Sequence, residues 1–447
     1  MITFSLPRRP DLRDFATSDN PRVQAQLDRL AALSLPQGRF GLETIRELCT
    51  RLGNPERILP PVFHVAGTNG KGSTCAFLRS ILEVQGYCIH TATKPHLVRY
   101  NERIRLAGRL IEDDALADQL AEVLDAGEDL GPSFFEVTTA ALFLAFSRTP
   151  ADACVIEVGL GGRFDATNVI PAPLVSGIAT LGIDHEAFLL RPEEGTPAEP
   201  LARIAFEKAS IAKPGVPLVT QSYPATAADE VIRTAAAAGA PLLMRGREWG
   251  ARGGDGALLF EDAAGALTLP LPELPGTHQA DNAALAVAML RAQDCLPVSA
   301  EAMAEGIRKT RWPARLQLLG KGPLTALAPE RAVWLDGGHN PDAGAALGRH
   351  FAGQEPLHLI IGMLANKDPG AILRPLAGRL ASLSVVPAPG HEAHRPEDFA
   401  PFTQLPVRSC RDVAQALAAL PPRGDVLIAG SLYLAGDVLR RNGELPD

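Results

Sequence analysis

Residues 62–82 read VFHVAGTNGKGSTCAFLRSIL. The short apolar run Val62-Phe63-His64-Val65-Ala66 suits a strand buried on both faces, and Cys75, Leu78, Ile81 and Leu82 recur at helical period. Between them lies a turn of Gly67, Thr68, Asn69, Gly70, Lys71, Gly72 and Ser73. A strand, a glycine-rich loop and a helix in that order expose backbone N–H groups at a positive helix end, where phosphate is the natural ligand. Lys71 can set its ammonium on the terminal phosphates of a nucleotide, and the Ser73 hydroxyl can ligate Mg²⁺. The spacing is not the standard G-x-x-x-x-G-K-[ST]: only Thr68 and Asn69 separate Gly67 from Gly70, and Gly72 stands between Lys71 and Ser73. A glycine-rich turn alone would say little. The Lys and the Ser that follow the strand favour a phosphate site over a purely structural turn.

Outward from this unit the same texture recurs, with ACVIEV at 153–158, LVSGIATL at 174–181 and VPLVT at 216–220. Such runs, separated by helical stretches, predict a mainly parallel, doubly wound α/β sheet like that of P-loop ATPases. The first ~60 residues are polar-rich and helical in pattern, with Leu27, Leu30, Ala31, Ile45 and Leu48 at helical spacing. Residues 244–272 alternate in short pieces between Gly and Asp turns, which predicts a small β meander. A helix from Asp281 to Ala292 then closes the domain, and DCLPVS at 294–299 is a linker punctuated by Pro297. Beyond it, AVWLDGG (332–338), LHLIIGM (357–363), LSVVPA (383–388) and DVLIAG (425–430) alternate with helices. The expected organisation is therefore an ATP-binding-type domain over 1–296 and a smaller Rossmann-like α/β domain over 297–447. RPEEGTPAEP, 191–200, is acidic and turn-forming and reads as an exposed insertion.

Composition narrows the function. With 46% hydrophobic and 21% charged residues over 447 positions, the chain has material for at least two ordinary cores. Its 43 Lys plus Arg against 51 Asp plus Glu, a net charge of −8, leave no general basic surface for a nucleic-acid backbone. No segment approaches the roughly 18 apolar residues of a membrane helix, and the opening MITFSLPRRPDLRDF lacks the apolar stretch of a signal peptide, so the cytoplasm is the expected compartment. Six cysteines lie far apart without a C-x-x-C pair, which suggests buried free thiols rather than a disulfide framework or zinc cage.

Several charged or polar residues sit where chemistry is possible. Glu157 interrupts an apolar strand just before the glycine-rich turn of GLGGRFD, where a carboxylate is costly unless paired or metal-bound; a metal and an ion pair with Arg163 are equally open on this segment alone. Asp184 and His185 follow another buried strand, at the edge where open α/β sheets carry ligands. Glu207 and Lys208, on a helical stretch, look like an ordinary solvated charge pair. In the second domain Asp336, His339 and Asn340 repeat the strand-end pattern, suited to a nucleotide and equally to turns and caps.

Taken together, HVAGTNGKGS, TKPHLVRYNERI, FFEVTTAA, IEVGLGGRFDATN, GIDHEAF, EKASI, HQADNAALA, LDGGHNP and GSLYLAGDVL resemble, in order and from about residue 39 to 440, the folylpolyglutamate synthase and dihydrofolate synthase family. That family belongs with the muramyl ligases among ATP-dependent amide ligases. The resemblance implies a bifunctional enzyme that adds L-glutamate to dihydropteroate and then to reduced folates through an acyl phosphate. It implies Lys71, His185 and Lys208 as catalytic residues, with Lys208 the lysine that the family carbamylates. Ser73, Glu157 and His185 would hold Mg²⁺, two ions being expected in all. ATP would lie on residues 67–73 and be held across the cleft by Asn282, Arg315, Asp336 and His339. Pro95, Phe135, Asp165 and Ala166 would form the pterin pocket, with Phe135 stacking on the ring and Asp165 binding its amino groups. A monomer without nucleic-acid or membrane partners is implied as well.

Two departures stand out. Lys94 occupies the place of a family Ser that can join the metal site, and Leu189-Leu190 with the insertion 191–200 replaces the family's Leu-Gly on the path to Lys208. The alternatives are a muramyl ligase, although only 63 residues precede His64 where a uridine-nucleotide domain would stand, and a P-loop binding protein without ligase activity.

Overall fold

The computed structural model describes residues 17–33, 41–353, 356–421 and 423–446; the opening stretch MITFSLPRRPDLRDF, expected to carry no signal peptide, lies outside them. Among the described residues the strands form three sheets. The first comprises β1 (Val62–Ala66), β2 (Ile89–Ala92), β3 (Ile104–Leu106), β4 (Arg109–Leu110), β5 (Ala153–Glu157), β6 (Val175–Ile178), β7 (Leu218–Thr220) and β8 (Leu242–Met244). Their order is β4-β3-β2-β5-β1-β6-β7-β8. Across the sheet from β2 to β8 all neighbours are parallel, and β3 and β4 extend the edge antiparallel.

The parallel strands β1, β5, β6 and β7 are buried along their whole length, as their continuous apolar runs require. Helices Lys71–Gln85, His278–Arg291 and Ala300–Lys309 cover one face, meeting through Phe77, Leu78, Ile81, Leu285, Met289 and Met303. On the other face Asp113–Gly127 and Phe134–Arg148 pack around Leu120, Val137 and Phe143, while Pro200–Ala209 and Ala225–Ala238 pack around Ala205 and Val231. The expected meander is present as β9 (Trp249–Gly254), β10 (Ala257–Asp262) and β11 (Gly265–Pro270), and it sends Trp249, Leu258 and Phe260 into the first of these cores.

The second domain is built on β12 (Gln317–Leu318), β13 (Val333–Leu335), β14 (Leu357–Ile361), β15 (Leu380–Val385), β16 (Val407–Ser409) and β17 (Asp425–Ala429), in the order β12-β13-β17-β14-β15-β16. All neighbours are parallel except β12, which lies antiparallel on β13.

Past residue 296, the expected end of the first domain, the chain still packs against that domain's core. Met303 and Ile307 belong to the first domain's core, and Ser80 Oγ donates to the Gly306 carbonyl at 2.8 Å. Trp312, further on, lies with its indole against Gly72. Pro297 punctuates the chain without ending the core, because the apolar stripe of the next helix docks backwards onto Lys71–Gln85.

This docking can be tested at Gly306, where a Cβ would stand 2.5 Å from Ile81 Cα. Alanine in an exposed helix interior normally gains about 1 kcal/mol over glycine. Here Gly306→Ala is expected to lose about 1–3 kcal/mol in equilibrium urea unfolding, because the helices cannot approach. A gain in stability would mean that the helix is not seated there.

Candidate active site

Three strand ends of the first sheet converge. The turn after β1 is held to the end of β6: Thr68 N–H donates to the Thr180 carbonyl at 2.7 Å, and Thr68 Oγ1 donates to the Gly182 carbonyl at 2.8 Å. Gly70 takes a φ of +84°, and a Cβ there would stand 2.3 Å from Asn282 Oδ1. Only glycine satisfies both conditions, so the loop folds down onto the helix that carries Asn282. Lys71 Nζ donates to the carbonyls of Gly67 and Thr68 at 3.1 and 3.2 Å. The Ser73 side chain, although buried, makes no hydrogen bond among the described residues.

Lys208 is not a solvated residue. It is 4% exposed, and its ammonium donates to the same Gly67 carbonyl at 2.9 Å. Burial, with the like charge of Lys71 next, lowers its pKa to about 7. Its neighbour Glu207 is buried too, as the shared partner of Arg163 and Arg203, each at 2.9 Å. Those arginines also grip Glu193 of the 191–200 segment, so this insertion is exposed along most of its length but tied down at Glu193.

Glu157 closes β5, and it does not pair with Arg163, whose partners are Glu193 and Glu207. Its Oε2 accepts from the backbone N–H of Lys94 at 3.0 Å. Burial raises its pKa, against the pull of Lys71, Lys94 and Arg315. Beyond β6, Asp184 forms an ion pair of 2.8 Å with Lys367 of the second domain; despite burial, His185 and Lys367 hold it below the usual carboxylate range. His185 adopts a left-handed φ of +53° at the mouth of the cleft. Enclosure, together with Lys367, Lys71 and Lys208, lowers its imidazole to about 4 even though the residue keeps an exposed edge, so the ring is neutral at pH 7.

The second domain meets this cluster from across the cleft. Asn340 caps the helix Pro341–His350 through Ala343 N–H at 3.0 Å, and its Nδ2 donates to Asn69 Oδ1 at 3.0 Å. Asn69 Nδ2 in turn donates to Asp342 Oδ2 at 3.0 Å. Asp336, buried at the end of β13, accepts from the N–H groups of Leu316 and Gly338 at 2.8 and 2.7 Å. His339 Nδ1 lies 3.1 Å from the Gly337 carbonyl, and burial lowers its pKa to about 4. Arg315 is half-buried, and its charge acts on both Glu157 and Asp336 across the cleft. Asp342 and Lys367 were not singled out from sequence. Each follows a strand end of the second sheet, the one signal that could have found them.

A cavity of about 810 Å³ opens beside Glu207, lined by Phe135, Arg163, Asp165, Ala166, Phe188 and Glu193 among others. Phe135 faces it, whereas Phe134 packs edge-on to Tyr100 at 5.9 Å between ring centres. Asp165 lines the cavity, yet its oxygens are occupied by its own turn. Oδ2 accepts from Gly159 and Leu160 N–H, and Oδ1 from the N–H and hydroxyl of Thr167. Pro95, in the cis peptide after Lys94, is exposed and lies outside this lining.

No family model matches the chain. The dihydrofolate synthase/folylpolyglutamate synthase of Bacillus subtilis (strain 168) is 32% identical over 437 residues, covering 90% of this chain and 94% of that protein. The protein of the same name from Escherichia coli (strain K12) is 37% identical over 356 residues, covering 78% and 76%. The chain belongs to the dihydrofolate synthase/folylpolyglutamate synthase family. Among solved structures, E. coli FolC in complex with DHPP and ADP matches with a TM-score of 0.81 at 32% identity, covering 94% of this chain and 97% of that one. Folylpolyglutamate synthase from Thermotoga maritima matches with a TM-score of 0.79 at 30% identity, covering 94% and 96%. Membership of this family displaces the muramyl-ligase alternative, and the two-domain α/β architecture is the family's own. Among the described residues no helix is long and apolar enough to cross a membrane.

Proposed function

We propose that the protein is an ATP-dependent ligase that adds L-glutamate to dihydropteroate, giving dihydrofolate, and to the glutamate tail of reduced folates. One juxtaposition carries the reading in a chain of this family: the ammonium groups of Lys71 and Lys208 meet on the Gly67 carbonyl, at the sheet edge that also carries buried Glu157. Family relatives bear both activities in their names, and solved neighbours hold ADP, DHPP, AMPPNP with Mn ion, and L-glutamate.

The chemistry requires this layout. An amine does not displace oxide from a carboxylate at a useful rate. A carboxylate oxygen of the acceptor therefore attacks the γ-phosphorus of ATP, ADP leaves, and an acyl phosphate forms. The amino group of glutamate then adds to the acyl carbon, loses a proton, and expels inorganic phosphate as the amide forms. Residues 67–73 cradle the phosphates, with Lys71 placed to neutralise charge on the transferring group. Asn282, Arg315, Asp336 and His339 complete the nucleotide site as the domains meet, and the contacts of Asn69 with Asn340 and Asp342 bring the two halves together.

The residues at the cleft fit a divalent cation. Glu157 is buried with one carboxylate oxygen unbonded, Ser73 offers an unused hydroxyl, and His185 is a neutral lone-pair donor at pH 7. Among the described residues no three His, Cys, Asp or Glu side chains gather into a cage. Mg²⁺ takes most of its ligands from phosphate and water. Ser73, Glu157 and His185 would hold Mg²⁺, which supplies charge neutralisation to the phosphoryl oxygens. Lys208, near neutrality at pH 7, is suited to capture CO₂ as a carbamate. In the cavity Phe135 and Ala166 receive the pterin, and Asp165 shapes the wall through its own turn. A monomer is the state that the family resemblance favours. The cytoplasm, with its ATP, suits the reaction and the six free cysteines.

The test is phosphate release from ATP and Mg²⁺ by the purified protein. Release is expected only when glutamate is present together with dihydropteroate or tetrahydrofolate. Release that ignores either co-substrate overturns the reading, and nucleotide binding without release would mark a P-loop binding protein instead.

A further inference from the structure

Lys94 stands at the junction between the nucleotide site and the cavity. Its backbone N–H is fixed to Glu157. Its side chain lies across Gly159, with Cδ and Nζ 3.4 and 3.7 Å from the point where a Cβ on Gly159 would stand; Asp165 Oδ2 is 3.1 Å from that same point. Lys94 thus lies within ordinary contact of Gly159, on the side of the turn that Asp165 closes.

The ammonium is half-buried and yet makes no ion pair and no hydrogen bond among the described residues. The carboxylates of Asp165 and Glu157, although they feel its charge, form no ion pair with it. Asp165 has both oxygens filled by four donors, and Glu157 comes no closer than the ion-pair limit while binding the lysine's backbone instead. The positive charge nevertheless reaches Glu157 on β5, Asp165 on the cavity turn and His64 on β1, drawing the two carboxyls towards their charged forms. Three N–H donors in a half-enclosed polar cleft are left to water in the free protein, and a carboxylate arriving there gains a charge-assisted partner. Gly159 leads through Leu160 into the cavity wall while Glu157 lies at the cleft, so an acceptor acid running from cavity to cleft passes beside this ammonium.

We propose that Lys94 is a substrate-binding and catalytic residue that pairs with the carboxylate of the acceptor, presents it to the γ-phosphoryl group, and then stabilises the oxyanion formed when the glutamate amine adds. The proposal rests on the ligase reading above and specifies a contact within it. Lys94 forms no covalent bond and transfers no proton, acting only as a fixed cation.

The experiment is a binding cycle that needs no turnover. Pteroate and its methyl ester are titrated by calorimetry, with ADP present, into the wild type, Lys94→Met and Lys94→Arg. The wild type is expected to bind the acid at least tenfold more tightly than the ester. Lys94→Met should bind both equally, and Lys94→Arg should keep part of the preference, with ADP affinity unchanged in all three. Circular dichroism melting checks the fold, and Lys94→Gln replaces Lys94→Met should the latter fail to fold. A wild type without preference for the acid, or a neutral variant that retains it, overturns the proposal. Ligase turnover of the wild type is measured separately: its absence would remove the proposed function, whereas a lost binding preference bears on Lys94 alone.

Discussion

Lys71→Ala is expected to lower ligase turnover by about 10²–10³-fold, the effect typical of removing one preorganised group from developing transition-state charge. The γ-phosphoryl group carries its charge on its oxygens, where a positioned ammonium stabilises the transition state more than reorganising solvent does. The fold should persist. In the structure Lys71 is half-exposed and donates only to the carbonyls of Gly67 and Thr68, a loss on the order of 1 kcal/mol. A second consequence separates this variant from a merely loosened loop. Lys71 is the nearest like charge depressing Lys208, so its removal should raise the pKa of Lys208 from about 7. Single-turnover phosphate release measures the first effect, and the pH profile of residual activity, displaced upward, measures the second. Undiminished turnover would refute the role of Lys71.

How much of this was legible in the chain depends on where each partner lies. β1, β5, β6 and β7 announce themselves because a strand buried on both faces must be apolar throughout, and the meander announces itself by its turns. The edge formed by β2, β3 and β4 does not. β2 contains His90 and Thr91, and β4 is only two residues long, so neither has an apolar run to notice.

The buried charges were the least legible. Glu207 beside Lys208 looks solvated on a helix; Arg203 is a local partner four residues earlier, but the second guanidinium that encloses it comes from Arg163, 44 residues earlier. Electrostatic partners distant in sequence leave no local pattern. The same holds for Glu157, for which Arg163 was one of two open partners and is engaged elsewhere, and for Lys94, whose position over Gly159 depends on the packing of two strands. The phosphate loop was readable because its ligand is bound by backbone geometry, and backbone geometry is what glycine spacing encodes.

Lys208→Met should move stability and activity in opposite directions. The lysine is buried with its pKa lowered to about 7, burial and Lys71 depressing it while Asp184, Asp165 and Glu207 partly offset them. In the unfolded chain the amine titrates near its ordinary 10.5. Between about pH 7 and 10.5 the unfolded state therefore holds a proton that the folded state lacks, and stability rises with pH across that window. Below pH 7 both states are protonated and the full cost of burying the charge is present. Methionine fills a similar volume without that cost. In CO₂-free buffer Lys208→Met is expected to be more stable than the wild type at pH 6 by on the order of a few kcal/mol, the gain shrinking towards pH 10. Urea unfolding at pH 6, 8 and 10 measures this. Turnover of the same variant should fall by orders of magnitude. Bicarbonate should restore activity to wild-type protein stripped of CO₂ and do nothing for the variant, because only a neutral amine at position 208 can become a carbamate. A variant that is destabilised at pH 6 and still turns over would make Lys208 an ordinary structural lysine, held at the Gly67 carbonyl for packing alone.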